Sequence, residues 1–171
     1  VRTYRENNWL KTTAQADGTT LVSGKSSGTS YQYIEDNRII PGVTISGVPV
    51  GGMDYENARN AMLDALSAEF SKINISVTVD NVTIVLTASD FRITTNINEL
   101  LSSAFKLGRS DADPYQNYLK RVEIAENGFE VGSYTLRMDE ESVAAIVSEA
   151  AAQLDHPPIE PYVTLLNRVG G

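Results

Sequence analysis

The sequence has no cysteine, which excludes disulfides and thiolate metal sites. Histidine is almost absent: His156, beside Pro157-Pro158, is the only one. A Ser-His-Asp relay would have to pass through it, and no G-x-S-x-G elbow exists to present a serine. Positive charge is scarce. Fourteen Lys and Arg against 22 Asp and Glu leave a net charge of −8, with a pI near 4.6. The chain therefore lacks the basic footprint that nucleic acid requires, and an anionic membrane surface would repel it. No apolar run approaches the roughly 20 residues of a membrane span, and no signal peptide is visible. The chain begins at Val1 and stops at Gly170-Gly171 just after a strand-like run. It reads as a piece of a longer protein whose flanks carry an anchor or a catalytic domain.

What is present is enough for one domain with a tail: 171 residues, 42% of them hydrophobic. Residues 1–37 are poor in aliphatics and rich in Ser, Thr and Gly, as in Ser23-Gly24-Lys25-Ser26-Ser27-Gly28. That is the composition of a polar tail or linker, although Thr20-Leu21-Val22 and Tyr31-Gln32-Tyr33-Ile34 could add edge strands. From 38 to 171 the periodicity predicts a folded α+β domain, with three helices packed on antiparallel hairpins. Val43, Ile45 and Val48 mark a short strand. Asp54 caps a helix whose apolar residues are Ala58, Ala61, Met62, Ala65, Leu66 and Phe70. Ile73 to Val79 and Val82 to Leu86 alternate as a hairpin around Asp80-Asn81.

Asn96 and Glu99 suggest a capping box for a second helix that stops at Gly108. Asp113-Pro114 opens a short helical turn. Val122–Ala125 and Phe129–Met138 read as strands around Asn127-Gly128. Asp139 caps a third long helix with Val143, Ile146, Val147, Ala150 and Leu154 inward, and Tyr162–Leu166 reads as a last strand. Met53-Asp54-Tyr55-Glu56 and Met138-Asp139-Glu140-Glu141 recur 85 positions apart, which raises a strand–helix–hairpin pseudo-repeat beside the simpler view that Asp then Glu is a good helix start.

The glycine-rich stretch from Arg38 to Asp54 poses the sharpest chemical question, because glycine loops before helices can cradle phosphates. Gly42, Gly47, Gly51 and Gly52 match neither G-x-x-x-x-G-K-[ST] nor G-x-G-x-x-G. Asp54 and Glu56 also place negative charge at the helix start, where a phosphate would have to sit. These glycines are therefore read as structural turns. Carboxylates are plentiful, but Asp54, Asp139, Glu140 and Glu141 serve helix starts, and Asp90 has no visible partner. Ser110-Asp111-Ala112-Asp113 lacks the Gly and closing Glu of a calcium loop. No metal or cofactor is implied. Binding chemistry remains: Arg109, Tyr115, Tyr118 and Arg121 cluster between Gly108 and the helical turn, the residue types that hold sugar faces and peptide carboxylates. The alternative is that the tyrosines are partly buried core and Arg109 pairs with a nearby Asp.

Ile40-Pro41-Gly42-Val43-Thr44-Ile45-Ser46-Gly47-Val48-Pro49-Val50-Gly51-Gly52-Met53 resembles the opening of the peptidoglycan-binding domain that accompanies VanW-like, vancomycin-resistance-associated proteins and some L,D-transpeptidases of Gram-positive bacteria. The likeness continues through Ala88-Ser89-Asp90-Phe91, Ala104-Phe105-Lys106-Leu107-Gly108-Arg109 and Leu154-Asp155-His156-Pro157-Pro158-Ile159. It spans about residues 38–168 and departs at Arg92, where the family tends to carry Gly. The resemblance implies an extracytoplasmic, non-enzymatic module at the bacterial cell wall, anchored through a segment elsewhere in its protein. Its partners would be peptidoglycan and an adjacent domain of the same chain, with no nucleic acid and no membrane insertion of its own. Two alternatives stand beside this expectation: a spacer without glycan affinity, and a carboxylate-based hydrolase of cell-wall glycan.

Overall fold

The computed structural model describes residues 6–79 and 81–154. These form an α+β fold in the order β1 (Trp9–Ala14), β2 (Thr20–Ser26), β3 (Thr29–Glu35), β4 (Val43–Ile45), β5 (Val48–Pro49), α1 (Tyr55–Phe70), β6 (Asn74–Val79), β7 (Val82–Thr87), β8 (Ile93–Thr95), α2 (Ile97–Lys106), α3 (Pro114–Asn127), β9 (Phe129–Glu130), β10 (Leu136–Met138) and α4 (Glu140–Leu154).

Helix α1 starts where the sequence places it. The Asp54 carboxylate accepts from the Asn57 amide at 2.9 Å, satisfying a donor that the helix start leaves open. The helix then buries Ala58, Met62 and Leu66 as one stripe. Helix α2 buries Ile97, Leu101 and Ala104 against it. Ile39, Ile40, Val43, Ile45 and Val50 from the glycine-rich stretch supply the facing side, and Ile124 of α3 completes the core.

That stretch is a structural corner. Ile39 and Gly52 exchange backbone bonds with Met53 and Ile39 respectively, at 2.9 and 2.7 Å, closing the loop on itself. Within it β4 and β5 pair antiparallel around Ser46-Gly47, and β9 pairs with β4 in parallel. Gly42 has φ +90°, and a Cβ there would lie 2.6 Å from the Ile124 carbonyl oxygen. The last turn of α3 thus packs directly on backbone, a position only glycine fills.

Several expectations change. Residues 9–35 are not a linker but a three-stranded antiparallel meander, β1-β2-β3. Its buried face consists of Val22, Gly24 and Tyr31, and a Cβ on Gly24 would meet the Tyr31 ring at 2.5 Å. The glycine that signals flexibility in sequence is the seat for an aromatic ring. Val122–Ala125 is the end of helix α3, so the described residues hold four helices rather than three. Phe129–Met138 is two short strands rather than one.

Asn96 makes no cap bond. Its side-chain oxygen accepts instead from the Thr135 amide at 2.7 Å, tying α2 to the approach to β10. Asp90 is partnered locally: Thr87 donates to it from backbone and hydroxyl at 2.7 and 2.8 Å, and these bonds hold its carboxyl below the usual range. Val147 faces solvent, 60% exposed, and not the interior. His156 and Tyr162–Leu166 lie outside the described residues, as does the C-terminal half of any second strand–helix–hairpin unit.

Candidate functional site

Helix α3 is positioned before it begins. Asp113 accepts from the Tyr115 amide at 3.0 Å and Pro114 follows at the first helical position, where its missing N–H costs nothing. The loop ahead of it is held by Asn117, a buried side chain that donates to the Asp111 carbonyl at 2.9 Å and accepts from the Asp111 amide at 3.1 Å. The Asp111 carboxylate accepts from the Asp113 amide at 2.8 Å, so the two aspartates brace the loop and the helix start in turn. Among the described residues no group of three or more His, Cys, Asp or Glu is placed to hold a metal.

This scaffold brings all four sequence-predicted residues to one joint, the seam between α3 and β3. Arg109 donates through Nε to one Glu35 carboxylate oxygen, through Nη1 to the Phe105 carbonyl at 3.0 Å, and through Nη2 to the carbonyls of Asp36 and Arg38 at 2.9 and 2.7 Å. Arg121 donates through Nη2 to the other Glu35 oxygen, through Nε to the Gly108 carbonyl and through Nη1 to the Ile34 carbonyl, both at 3.0 Å. Its guanidinium also lies 4.6 Å from the Tyr33 ring centroid, within cation–π range. The two arginine side chains are only 19% and 12% exposed. Glu35 is gripped from both sides, and neither guanidinium is open to an external carboxylate. Arg109 and Arg121, expected as ligand-binding residues, thus form a clamp on Glu35.

The tyrosines extend the clamp. Tyr31 lies 5.3 Å from Tyr115 and 5.6 Å from Tyr118, and Tyr115 stacks on Tyr118 at 6.2 Å. Such clusters contribute beyond their buried area. Burial, reinforced by the Asp113 charge, pushes the Tyr31 hydroxyl above its ordinary range. Burial likewise raises Tyr33, against the opposing pull of Arg121.

Beside the clamp an open groove of about 470 Å³ remains between β3, residues 36–41 and α3. Tyr118, Arg121, Val122 and Ala125 form its α3 wall at helical spacing, facing Tyr33, Ile40 and Pro41. Gln32, Asp36 and Arg38 lie at its polar rim. Arg38 differs from the clamp arginines: it donates one long bond, 3.4 Å, to the Gly52 carbonyl and makes no ion pair among the described residues. Of the predicted four, Tyr118 and Arg121 reach this groove; Arg109 and Tyr115 do not.

Sequence reasoning missed Tyr33, Asp36 and Arg38. The one available signal was the alternation Tyr31-x-Tyr33, which marks a strand face. The lining has a single carboxylate, Asp36, and no His, Cys or Ser. Comparison of the chain with protein-family models, curated proteins and solved structures returns no match.

Proposed function

We propose that this chain is a non-catalytic module of a bacterial cell-envelope protein that binds peptidoglycan or positions a neighbouring domain on it. The observation that carries the proposal is the groove between β3 and α3, with an apolar floor and Arg38 open at its rim. An aliphatic peptide stem ending in a carboxylate matches that combination: the stem covers Val122, Ala125 and Ile40, and the carboxylate meets the guanidinium. The resemblance of residues 38–168 to a cell-wall domain points the same way, and an extracytoplasmic position follows from this reading. The test is cosedimentation with purified sacculi. Wild-type protein pellets at moderate salt, Arg38→Ala stays largely in solution, and Lys72→Ala, on a remote exposed pair, pellets like wild type. Wild-type protein left in the supernatant overturns the proposal.

A second reading, a stiff spacer without glycan affinity, is favoured by one observation. Both predicted anchor arginines are consumed in holding the meander to α3, which makes a rigid joint and not a receptor. Under that reading Arg38→Ala and wild type behave alike with sacculi.

A further inference from the structure

The meander has a second face, turned away from α3. The register β1-β2-β3 places Trp9 opposite Lys25, Lys11 opposite Ser23, and Ser30 opposite Lys25 on its far side. Alternation along each strand puts these five side chains together on the outer face. Three features set this face apart. Trp9 is the only tryptophan of the chain and is left 45% exposed. Lys11 and Lys25 sit on diagonal positions, where like charges repel, and neither makes an ion pair among the described residues. No Asp or Glu occupies the outer positions of the three strands, in a chain whose net charge is −8.

The indole is also mounted on fixed backbone. The Gly28 amide donates to the Asn7 carbonyl at 3.0 Å and the Ser27 amide to the Asn8 side chain at 2.9 Å, so both residues before Trp9 are pinned to the β2–β3 turn. A flat, exposed indole on a rigid sheet, flanked by two unneutralised ammonium groups and two hydroxyls, has the parts that recognise a carboxylated sugar. The aromatic face takes the C–H face of a pyranose. The lysines neutralise carboxylates as point charges, and Ser23 and Ser30 supply hydroxyl partners.

We propose that the outer face of the meander, centred on Trp9 with Lys11 and Lys25, is a binding site for an acidic polysaccharide of the uronic-acid class. The site is separate from the groove and does not depend on its ligand. Nucleic acid fits less well. Two lysines neutralise few phosphates, and the outer face carries one aromatic ring where successive bases would need several to stack on.

Trp9 is its own reporter, since no other tryptophan contributes to the emission. Titration of the full chain with tetragalacturonate gives a saturable change in Trp9 fluorescence, and maltotetraose of equal length binds at least about tenfold more weakly because it lacks the charge. Lys11→Ala/Lys25→Ala weakens the tetragalacturonate response by a similar factor. In affinity electrophoresis through polygalacturonate gel, Trp9→Phe is retarded and Trp9→Ala is not. No saturable change at millimolar tetragalacturonate, an equal response to maltotetraose, tighter binding of oligothymidylate, or retention of Trp9→Ala each overturns the proposal. All three side chains lie on a solvent-facing surface, and an unchanged far-ultraviolet circular dichroism spectrum confirms that each variant is folded.

Discussion

Met62 and Leu101 have no exposed surface, whereas Val85 in β7 and Val147 in α4 are 51% and 60% exposed. The contrast runs through the molecule. One region, the meander with residues 39–70 and 97–131, contains every buried hydrophobic side chain among the described residues. The other, β6–β8 with β10 and α4, contains none among the residues whose side chains are described. The first is tied by bonds between distant parts of the chain: Arg121 to Ile34 and Glu35, Arg109 to Glu35, and Glu130 to Thr44 and Gly47. The second rests mainly on local bonds, such as Thr78 with Thr83, Thr87 with Asp90 and Ser142 with Asp139, with the β8–β10 pairing as its longer link. Burial across the chain gives cooperative stability, while solvent-exposed local bonds open at low cost.

Substitutions should expose that difference. The largest effect is expected for Leu101→Ala, which empties the middle of the core and costs about 2–5 kcal/mol by denaturant titration. Next comes Arg121→Ala, which strips Glu35 of one partner and removes the guanidinium from the Tyr33 face. For a pair this far out of water, about 1–3 kcal/mol is expected.

A smaller effect concerns Glu130. Partial burial raises its carboxyl, but the Thr44 hydroxyl and the Gly47, Ser46 and Gly132 amides outweigh burial and hold it below the usual range. A depressed carboxyl contributes stability at neutral pH that is lost as pH falls through its folded-state pKa. Glu130→Gln should therefore show a smaller drop in melting temperature between neutral and acidic pH than wild type. The smallest effect is expected for Val147→Ala, within about 0.5 kcal/mol, because that side chain is mostly exposed to solvent. A Val147→Ala cost equal to that of Leu101→Ala would erase the distinction between the regions.

The legibility of the sequence follows the same divide. Helix α1 could be read because its cap, Asp54, and its buried stripe lie within one segment. The end of α3 misled because Val122 and Ile124 alternate like a strand, while the signals that decide the matter, Asp113-Pro114 before and Gly128 after, lie further off. The meander misled because its inner face has a single buried aliphatic, Val22, beside tyrosine and glycine: Tyr31 needs the space at Gly24, a fact visible only once β2 and β3 are paired. Arg109, Tyr115, Tyr118 and Arg121 were found as a cluster, but their partner Glu35 precedes Arg109 by 74 positions. Local spacing carries no trace of that pairing. Arginines that read as open to a ligand were already engaged.

Hydrogen exchange on the wild-type chain compares the two regions in one experiment. The amides of β2 and β3 should exchange about as slowly as those of α1, and at least about tenfold more slowly than those of β6 and β7. Rapid exchange throughout residues 20–35, matching or exceeding that of β6 and β7, would contradict a meander clamped to α3 and return those residues to the status of a tail.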